Sequence, residues 1–263
     1  MKVILSIART TVGEAIRRKI LLVILLIGVL FLVIAPGLNM LTARQEQTVL
    51  ISLTLGVIQL TSALLALVLT VYMIPNEIER RTIYTILAKP VQRWQFVIGK
   101  YLGAIGALGL MMALMTFTLI IVYAIMQGVS DVQQLSLLAK APLMFYVQMC
   151  LLSAVAVTFS TFVAPMVNFF LSGGVFLLGM TFNSLLEIIS NSSTMHPVMK
   201  VFATVLSSVV PNFQNFNVQN TSINASQVIR GELSHFVNLT AYGVTYILVL
   251  LFIGILIFDR REV

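Results

Sequence analysis

The sequence predicts an all-α polytopic membrane protein with six transmembrane helices, a fold class indicated by composition and by segment length. Hydrophobic residues make up 59% of the 263 residues, charged residues make up 10%, and the mean hydropathy is +1.02. These values exclude a water-soluble core. The chain also contains apolar segments of about twenty residues, the length that an α-helix needs to cross about 30 Å of hydrocarbon.

Residues 1–19 differ from the later segments because their apolar residues form a single stripe. Ile4, Ile7 and Ala8 lie on one side of a helical projection, and Arg9 and Glu14 lie on the other. This pattern predicts an amphipathic helix that lies along the membrane surface. A simple cytosolic extension of the first span is the alternative.

Six apolar segments follow and are interpreted as the spans of a single transmembrane domain, 1–263. Pro165 separates the fourth segment from the fifth so closely that the two must form a hairpin. The predicted spans are residues 20–40, 49–75, 98–127, 142–164, 166–188 and 237–258.

The basic residues predict the orientation of these spans. With both termini in the cytoplasm, twelve of the sixteen Lys and Arg residues lie on the inner side and four on the outer side. This is a clear positive-inside distribution, so we expect a multi-pass protein of the cell inner (plasma) membrane. The sequence pI of 9.8 reflects this orientation, and nucleic-acid binding is not needed to explain it.

Residues 76–97 form the longest polar interruption between spans and are predicted to face the cytoplasm. A helix from about Glu77 to Ala88 would place its isoleucines on one half and Arg80, Arg81 and Tyr84 on the other, and Pro90 would end it. Aromatic and basic residues at the ends of spans suit anchors at the lipid headgroups. The predicted anchors are Arg17, Arg18, Lys19, Arg93, Trp94 and Lys100.

Residues 189–236 form the longest external connection. Val198–Val210 is apolar but too short to span the membrane, so a re-entrant or interfacial helix is favoured over an ordinary solvated loop. Glu187, at the rim of the fifth span, could mark a substrate route or could simply reach the interface. The candidates for a substrate path or outer gate are Glu187, Pro211, Asn212, Phe213 and Phe216.

The sequence contains no signature of catalysis, of nucleotide binding or of a metal site. It lacks a Gly-rich loop ending in Gly-Lys-Ser/Thr, and it lacks HExxH, CxxC and GxSxG. The predicted spans carry no charge in their interiors, in contrast to ion-coupled carriers, so energy must come from elsewhere. Small residues such as Gly99 and Gly103 allow close helix contact, with packing inside the subunit favoured over a dimer face.

Several stretches resemble the permease subunits of the ABC-2 class of ABC transporters. Glu77–Gly103 carries the acidic-basic run, the Thr-Ile pair, the Lys-Pro and the Gly-Lys that recur between the second and third spans of that class. Pro211–Asn217 (PNFQNFN) and the closing Ile257–Glu262 (IFDRRE) add to the likeness, which covers essentially the whole chain. It is greatest to the branch named for multi-copper enzyme maturation.

The resemblance implies a type V exporter-like fold with an N-terminal elbow helix, a cytoplasmic coupling helix and external re-entrant helices. It also implies a dimer with a second, identical or related permease chain and two separate ATPase subunits, which would bind ATP and Mg. This chain would bind no cofactor and would not itself be an enzyme. The residues expected to dock on the ATPase are Glu77, Glu79, Arg80, Arg81, Ile83, Tyr84, Leu87, Lys89 and Pro90.

Two functions follow from these expectations. The first is export of a substrate driven by the partner ATPase. The alternative is a mechanical or assembly complex, in which residues 189–236 pass force to an external partner and no solute moves. A membrane-embedded enzyme would need catalytic groups clustered at one depth, and the sequence shows none.

Overall fold

The computed structural model describes residues 2–38, 46–79, 92–127, 132–191, 210–217 and 232–260. Within these ranges the regular structure is entirely helical. The helices are α1 (Lys2–Arg17), α2 (Lys19–Leu38), α3 (Glu46–Val71), α4 (Met73–Glu79), α5 (Arg93–Gln127), α6 (Val132–Ser160), α7 (Pro165–Asn191) and α8 (Glu232–Arg260), with a short 3₁₀ turn at Gln214–Phe216.

Four helical stretches in the described ranges are long and apolar enough to cross a membrane: Leu50–Glu79, Arg93–Ile125, Ala139–Ser160 and Ser234–Arg260. A fifth is reached if α1 and α2, which are bent by 65° relative to each other, are taken as one broken span. Pro165–Thr181 is a shorter apolar helix. The helical membrane protein is therefore supported, and the number six stays a prediction.

The break between α3 and α4 has a local cause at Pro75. A proline inside a helix lacks a backbone N–H, and its ring meets the carbonyl four residues earlier, which here belongs to Val71. Helix α3 ends at Val71, Tyr72 is a turn residue, and α4 begins at Met73. The regular α-helix is therefore interrupted just before the chain reaches the polar residues that follow Asn76.

Helices α3 and α6 form the centre of the bundle. In the most apolar part of each stretch, the buried share is 72% for Leu50–Glu79 and 78% for Ala139–Ser160. The corresponding values are 33% for Arg93–Ile125 and 28% for Ser234–Arg260. Large apolar side chains such as Leu26, Phe31 and Phe252 are exposed on the outer helices. In a soluble protein such a surface would be unstable, so it is suited to contact with lipid.

Helices α6 and α7 form the hairpin predicted at Pro165. Helix α6 ends at Ser160, and Pro165 occupies the first position of α7, where its missing N–H has no helical partner to lose. The Asn168 side chain reaches back across the hairpin and donates to the Ala156 carbonyl at 3.0 Å. Ser172 Oγ in turn donates to Asn168 Oδ1 at 2.8 Å.

Helix α1 packs against the first half of α5 through glycines. A Cβ on Gly99 would lie 2.9 Å from Ile7 Cβ, and one on Gly103 would lie 2.5 Å from Thr11 Cβ and 2.7 Å from the Ala8 carbonyl oxygen. Only glycine allows this approach of the two helices. Packing of these glycines inside the subunit, which the sequence favoured over a dimer face, is confirmed.

Candidate functional site

One end of the bundle gathers the C-terminal ends of α4 and α8 with the beginning of α5, along which α1 packs in parallel. We call it the basic end, after Arg93, Lys100 and Arg260. Residues 80–91, which include most of the predicted ATPase-docking residues, connect α4 to the residue before α5 at this end. The opposite end, where α3 and α8 begin and residues 210–217 lie, is called the distal end.

A buried ion pair joins three helices at the basic end. Lys100 on α5 has its Nζ 2.6 Å from Glu77 Oε1 on α4 and 3.4 Å from Glu14 Oε2 on α1. The Lys100 side chain is 5% exposed, Glu77 is 15% exposed and Glu14 is 52% exposed. An ammonium this deeply buried is stable only when it is paired, so Glu77 is its main electrostatic partner.

Local features bring these three charges together. Gly99 and Gly103 flank Lys100 and let α1 approach closely enough for Glu14 to reach the ammonium. Helix α4, which follows the turn residue Tyr72, carries Glu77 two residues after Pro75. The Phe96 ring, whose centroid is 6.0 Å from Lys100 Nζ, closes another side of the site and adds a weak cation–π attraction.

A second contact at the basic end joins α5 to the end of α8. Arg93 Nη1 donates to the carbonyl oxygens of Phe258 at 3.2 Å and Asp259 at 3.0 Å. The last carbonyls of a helix lack helical donors and carry partial negative charge, so a guanidinium stabilises them. The rings of Phe96 and Phe258 stack beneath this contact with centroids 6.2 Å apart.

Residues 80–91 are therefore bounded by two fixed points. Before them, Glu77 is held by Lys100, and after them, Arg93 is held by the end of α8. Of the predicted docking residues, Glu77 is largely buried and Glu79 is exposed at the end of α4. Those outside the described residues are Arg80, Arg81, Ile83, Tyr84, Leu87, Lys89 and Pro90.

The predicted headgroup anchors are found in different surroundings. Arg17 and Lys19 are exposed on either side of Arg18, the residue between α1 and α2. Trp94 is 40% exposed, and its indole N–H donates to the side-chain oxygen of Gln92. The prediction for Lys100 needs correction, because α1 and α4 cover its side chain and it forms a buried ion pair instead of facing the headgroups.

At the distal end, residues 210–217 enter the bundle. Phe213 and Phe216 are fully buried, Pro211 is buried and Asn212 is partly buried. The Phe213 ring packs edge-on against Phe176 of α7 with centroids 5.3 Å apart. The Asn212 backbone N–H donates to Tyr242 Oη of α8 at 3.1 Å. Four predicted gate residues are thus brought together, whereas for Glu187, which lies in α7, the side chain is outside the description.

Two glutamines in the centre of the bundle were not identified from the sequence. Gln148 Nε2 on α6 donates to the Phe213 carbonyl at 2.8 Å, and Gln59 Nε2 on α3 donates to Gln148 Oε1 at 3.2 Å. Each glutamine is a polar residue within a long apolar run, and this interruption is the sequence signal that could have identified both. Among the described residues, no group of three or more His, Cys, Asp or Glu could hold a metal ion.

The fold and the site define a helical membrane protein in which the residues on both sides of positions 80–91 are held by contacts with neighbouring helices. A family model described as ABC-2 family transporter protein matches residues 5–263. The chain therefore belongs to the ABC-2 transporter family, as the sequence motifs predicted, and it is a multi-pass transmembrane permease of the ABC transporter class. A search of curated proteins gives no match.

Proposed function

We propose that this permease exports a substrate with energy from ATP that separate ATPase subunits hydrolyse. These subunits dock on the coupling segment, residues 77–91, at the basic end. ATP and Mg bind to those subunits, and this chain works as a dimer with a second permease chain. The basic end faces the cytoplasm of a plasma-membrane protein, with both termini on that side.

The observation that carries this proposal is the buried Lys100–Glu77 ion pair. A segment that only connected two spans would need no such anchoring at its base. Here the coupling segment is tied at its first residue, Glu77, to α5 by Lys100, which also contacts Glu14 of α1, and Arg93, which follows the segment, is tied to α8. A displacement of the segment by a closing ATPase would therefore be passed to α1, α5 and α8 together.

Family membership also supports a partner ATPase, because the chain itself has no phosphate-binding loop. The mechanical alternative requires an external partner on residues 189–236. Most of those residues lie outside the described part of the chain, and no contact described in the structure favours that function over export. Export is therefore the function that we carry forward.

Charge exchange in the coupling segment tests the docking assignment. The double substitution Glu79→Lys and Arg80→Glu leaves the net charge unchanged but reverses the charge pattern that the ATPase would meet. We expect the co-purifying ATPase to fall about tenfold or more, because like charges brought together at an interface cost several kcal/mol. The matched control is Arg230→Glu with Glu232→Lys, the same exchange near the start of α8 at the distal end.

The control should retain normal amounts of the ATPase. Full association of the Glu79→Lys/Arg80→Glu protein, with ATP hydrolysis by the complex unchanged, would contradict the docking proposal. Equal loss in both exchanges would point to a general assembly defect and would contradict it as well.

A further inference from the structure

The outer segment, residues 210–217, is packed directly against the backbone of α7. A Cβ added to Gly179 would lie 2.5 Å from the Pro211 carbonyl oxygen and 2.5 Å from Phe213 Cδ2. On the other side, the Phe216 ring lies 3.2 Å from a Cβ added to Gly243 of α8. Glycines on two helices thus leave the space that residues 210–217 occupy.

The Gln148 side chain supplies a polar contact at the depth of the spans. Gln59 lies nine residues after the start of its apolar stretch at Leu50, and Gln148 lies nine residues after Ala139. At a rise of about 1.5 Å per residue, both amides are about 14 Å from the distal ends of these stretches. Backbone outside an α-helix is stable at such depth only when protein or water satisfies it, and the Phe213 carbonyl accepts from Gln148 as well as from the Phe216 N–H of the 3₁₀ turn.

The same two glutamines offer a second arrangement that needs no outer segment. With residues 210–217 in place, Gln148 accepts from Gln59 and donates to Phe213, and Met180 Sδ lies 3.1 Å from its Nε2. If the segment left, the Gln148 amide could instead donate to Gln59 Oε1, and the two amides would satisfy each other. Departure would therefore strand no buried donor, and the large cost of an unpaired amide in hydrocarbon would be avoided.

We infer that residues 210–217 are a retractable closure of the transport route at the distal end, with Gln148 and Gln59 as its latch. This inference rests on the proposed transport function. The glutamines act as positioning residues, because they hold the closure and need not touch the substrate. The surface uncovered by retraction would present their amides, Met180 and the rings of Phe176 and Tyr242.

Accessibility of a buried reporter thiol tests the inference. Phe216→Cys is introduced together with Cys150→Ser, and the purified complex with its ATPase is treated with a water-soluble maleimide. We expect slow modification without nucleotide and at least several-fold faster modification after ATP and vanadate trap the ATPase. An unchanged rate under both conditions would show a permanent structural element and would overturn the inference.

Two substitutions in the reporter protein address the latch and the closure separately. Gln148→Leu removes the donor to the Phe213 carbonyl. We expect the reporter thiol to be modified about tenfold faster without nucleotide, because a change of this size corresponds to the loss of one buried hydrogen bond. Gly179→Ala leaves both amides intact but forces its new Cβ against Pro211, and it should accelerate modification as well. Gly174→Ala is the matched control, because a Cβ there meets nothing within 4 Å.

The outcomes separate this inference from the proposed function. Suppose that the ATPase associates normally and that neither Gln148→Leu nor Gly179→Ala changes the rate at which maleimide modifies the reporter thiol. This result would overturn the closure and leave the docking proposal intact. Acceleration by Gly174→Ala equal to that by Gly179→Ala would also overturn it, since the effect would then be unspecific. Melting temperatures of all variants show whether each protein is folded. If the Gln148→Leu protein is unfolded, the Gly179→Ala result alone tests the closure.

Discussion

Among the residues that the structure describes, Lys100 is the most deeply buried charged side chain. Its ammonium is buried beneath α1 and α4, and its nearest carboxylate belongs to Glu77. Glu14 is half exposed and lies further away, so its share of the stabilisation should be that of a surface ion pair. The three residues should therefore differ strongly in what their removal costs.

We predict that Lys100→Met lowers the free energy of unfolding by about 3 kcal/mol, because it leaves the Glu77 carboxylate buried without its 2.6 Å partner. Glu14→Gln should cost less than about 1 kcal/mol. Unfolding in mixed micelles with increasing SDS gives both values.

The double variant Lys100→Met/Glu77→Gln serves as the control. Removing both charges of a buried pair is often close to neutral, so part of the stability should return. Equal losses for Lys100→Met and Glu14→Gln, or no recovery in the double variant, would contradict the assignment of Glu77 as the main partner.

The ion pair and the amide contacts explain what the sequence could and could not predict at this scale. Lys100 is 86 residues from Glu14 and 23 from Glu77, and Gln148 is 65 residues from Phe213. Such pairs depend on the rotation and depth of helices relative to one another. Hydrophobic periodicity indicates that a helix forms but does not determine this register, and Lys100 was therefore interpreted as a lipid anchor.

At the scale of elements, the contact between α1 and α5 is the one that the sequence anticipated best. Small residues spaced three or four apart indicate a close helix contact whatever the partner may be. Gly99 and Gly103 follow this rule, and their partner is the amphipathic N-terminal helix. The bend of 65° between α1 and α2 could not be derived, because no proline or glycine marks Arg18.

Substitution of these glycines should separate packing from helix propensity. We predict that Gly103→Ala destabilises the protein by about 1–3 kcal/mol, because its Cβ would meet Thr11 Cβ at 2.5 Å and the Ala8 backbone at 2.7 Å. Gly13→Ala on α1 is the matched control, since nothing lies within 4 Å of its Cβ.

The control should be neutral or stabilising by up to about 1 kcal/mol, the difference in helix propensity between alanine and glycine. Thermal unfolding of both variants in detergent measures the effect. A Gly103→Ala protein as stable as Gly13→Ala would mean that α1 and α5 are further apart than the structure describes.

At the scale of the whole molecule, the two ends of the bundle differ in the charge and polarity of their described residues. The basic end holds the ion pair and the residues that flank positions 80–91, and the distal end holds residues 210–217 with their aromatic contacts to Phe176 and Tyr242. Composition was sufficient to predict a membrane protein, and the motifs were sufficient to predict the ABC-2 family. The entry of residues 210–217 among the helices depends on space left by Gly179 and Gly243, which neither composition nor motif reveals.

The orientation of these two ends in the membrane is the last prediction. Because twelve of the sixteen basic residues are assigned to the side of the basic end, we expect that end to face the cytoplasm. Single cysteines at Glu79 and Ser234, both exposed, are placed in a Cys150→Ser background. A membrane-impermeant maleimide should label Ser234→Cys in intact cells and Glu79→Cys only after lysis. The reverse pattern would place the coupling segment outside the cell, where no ATPase could drive it.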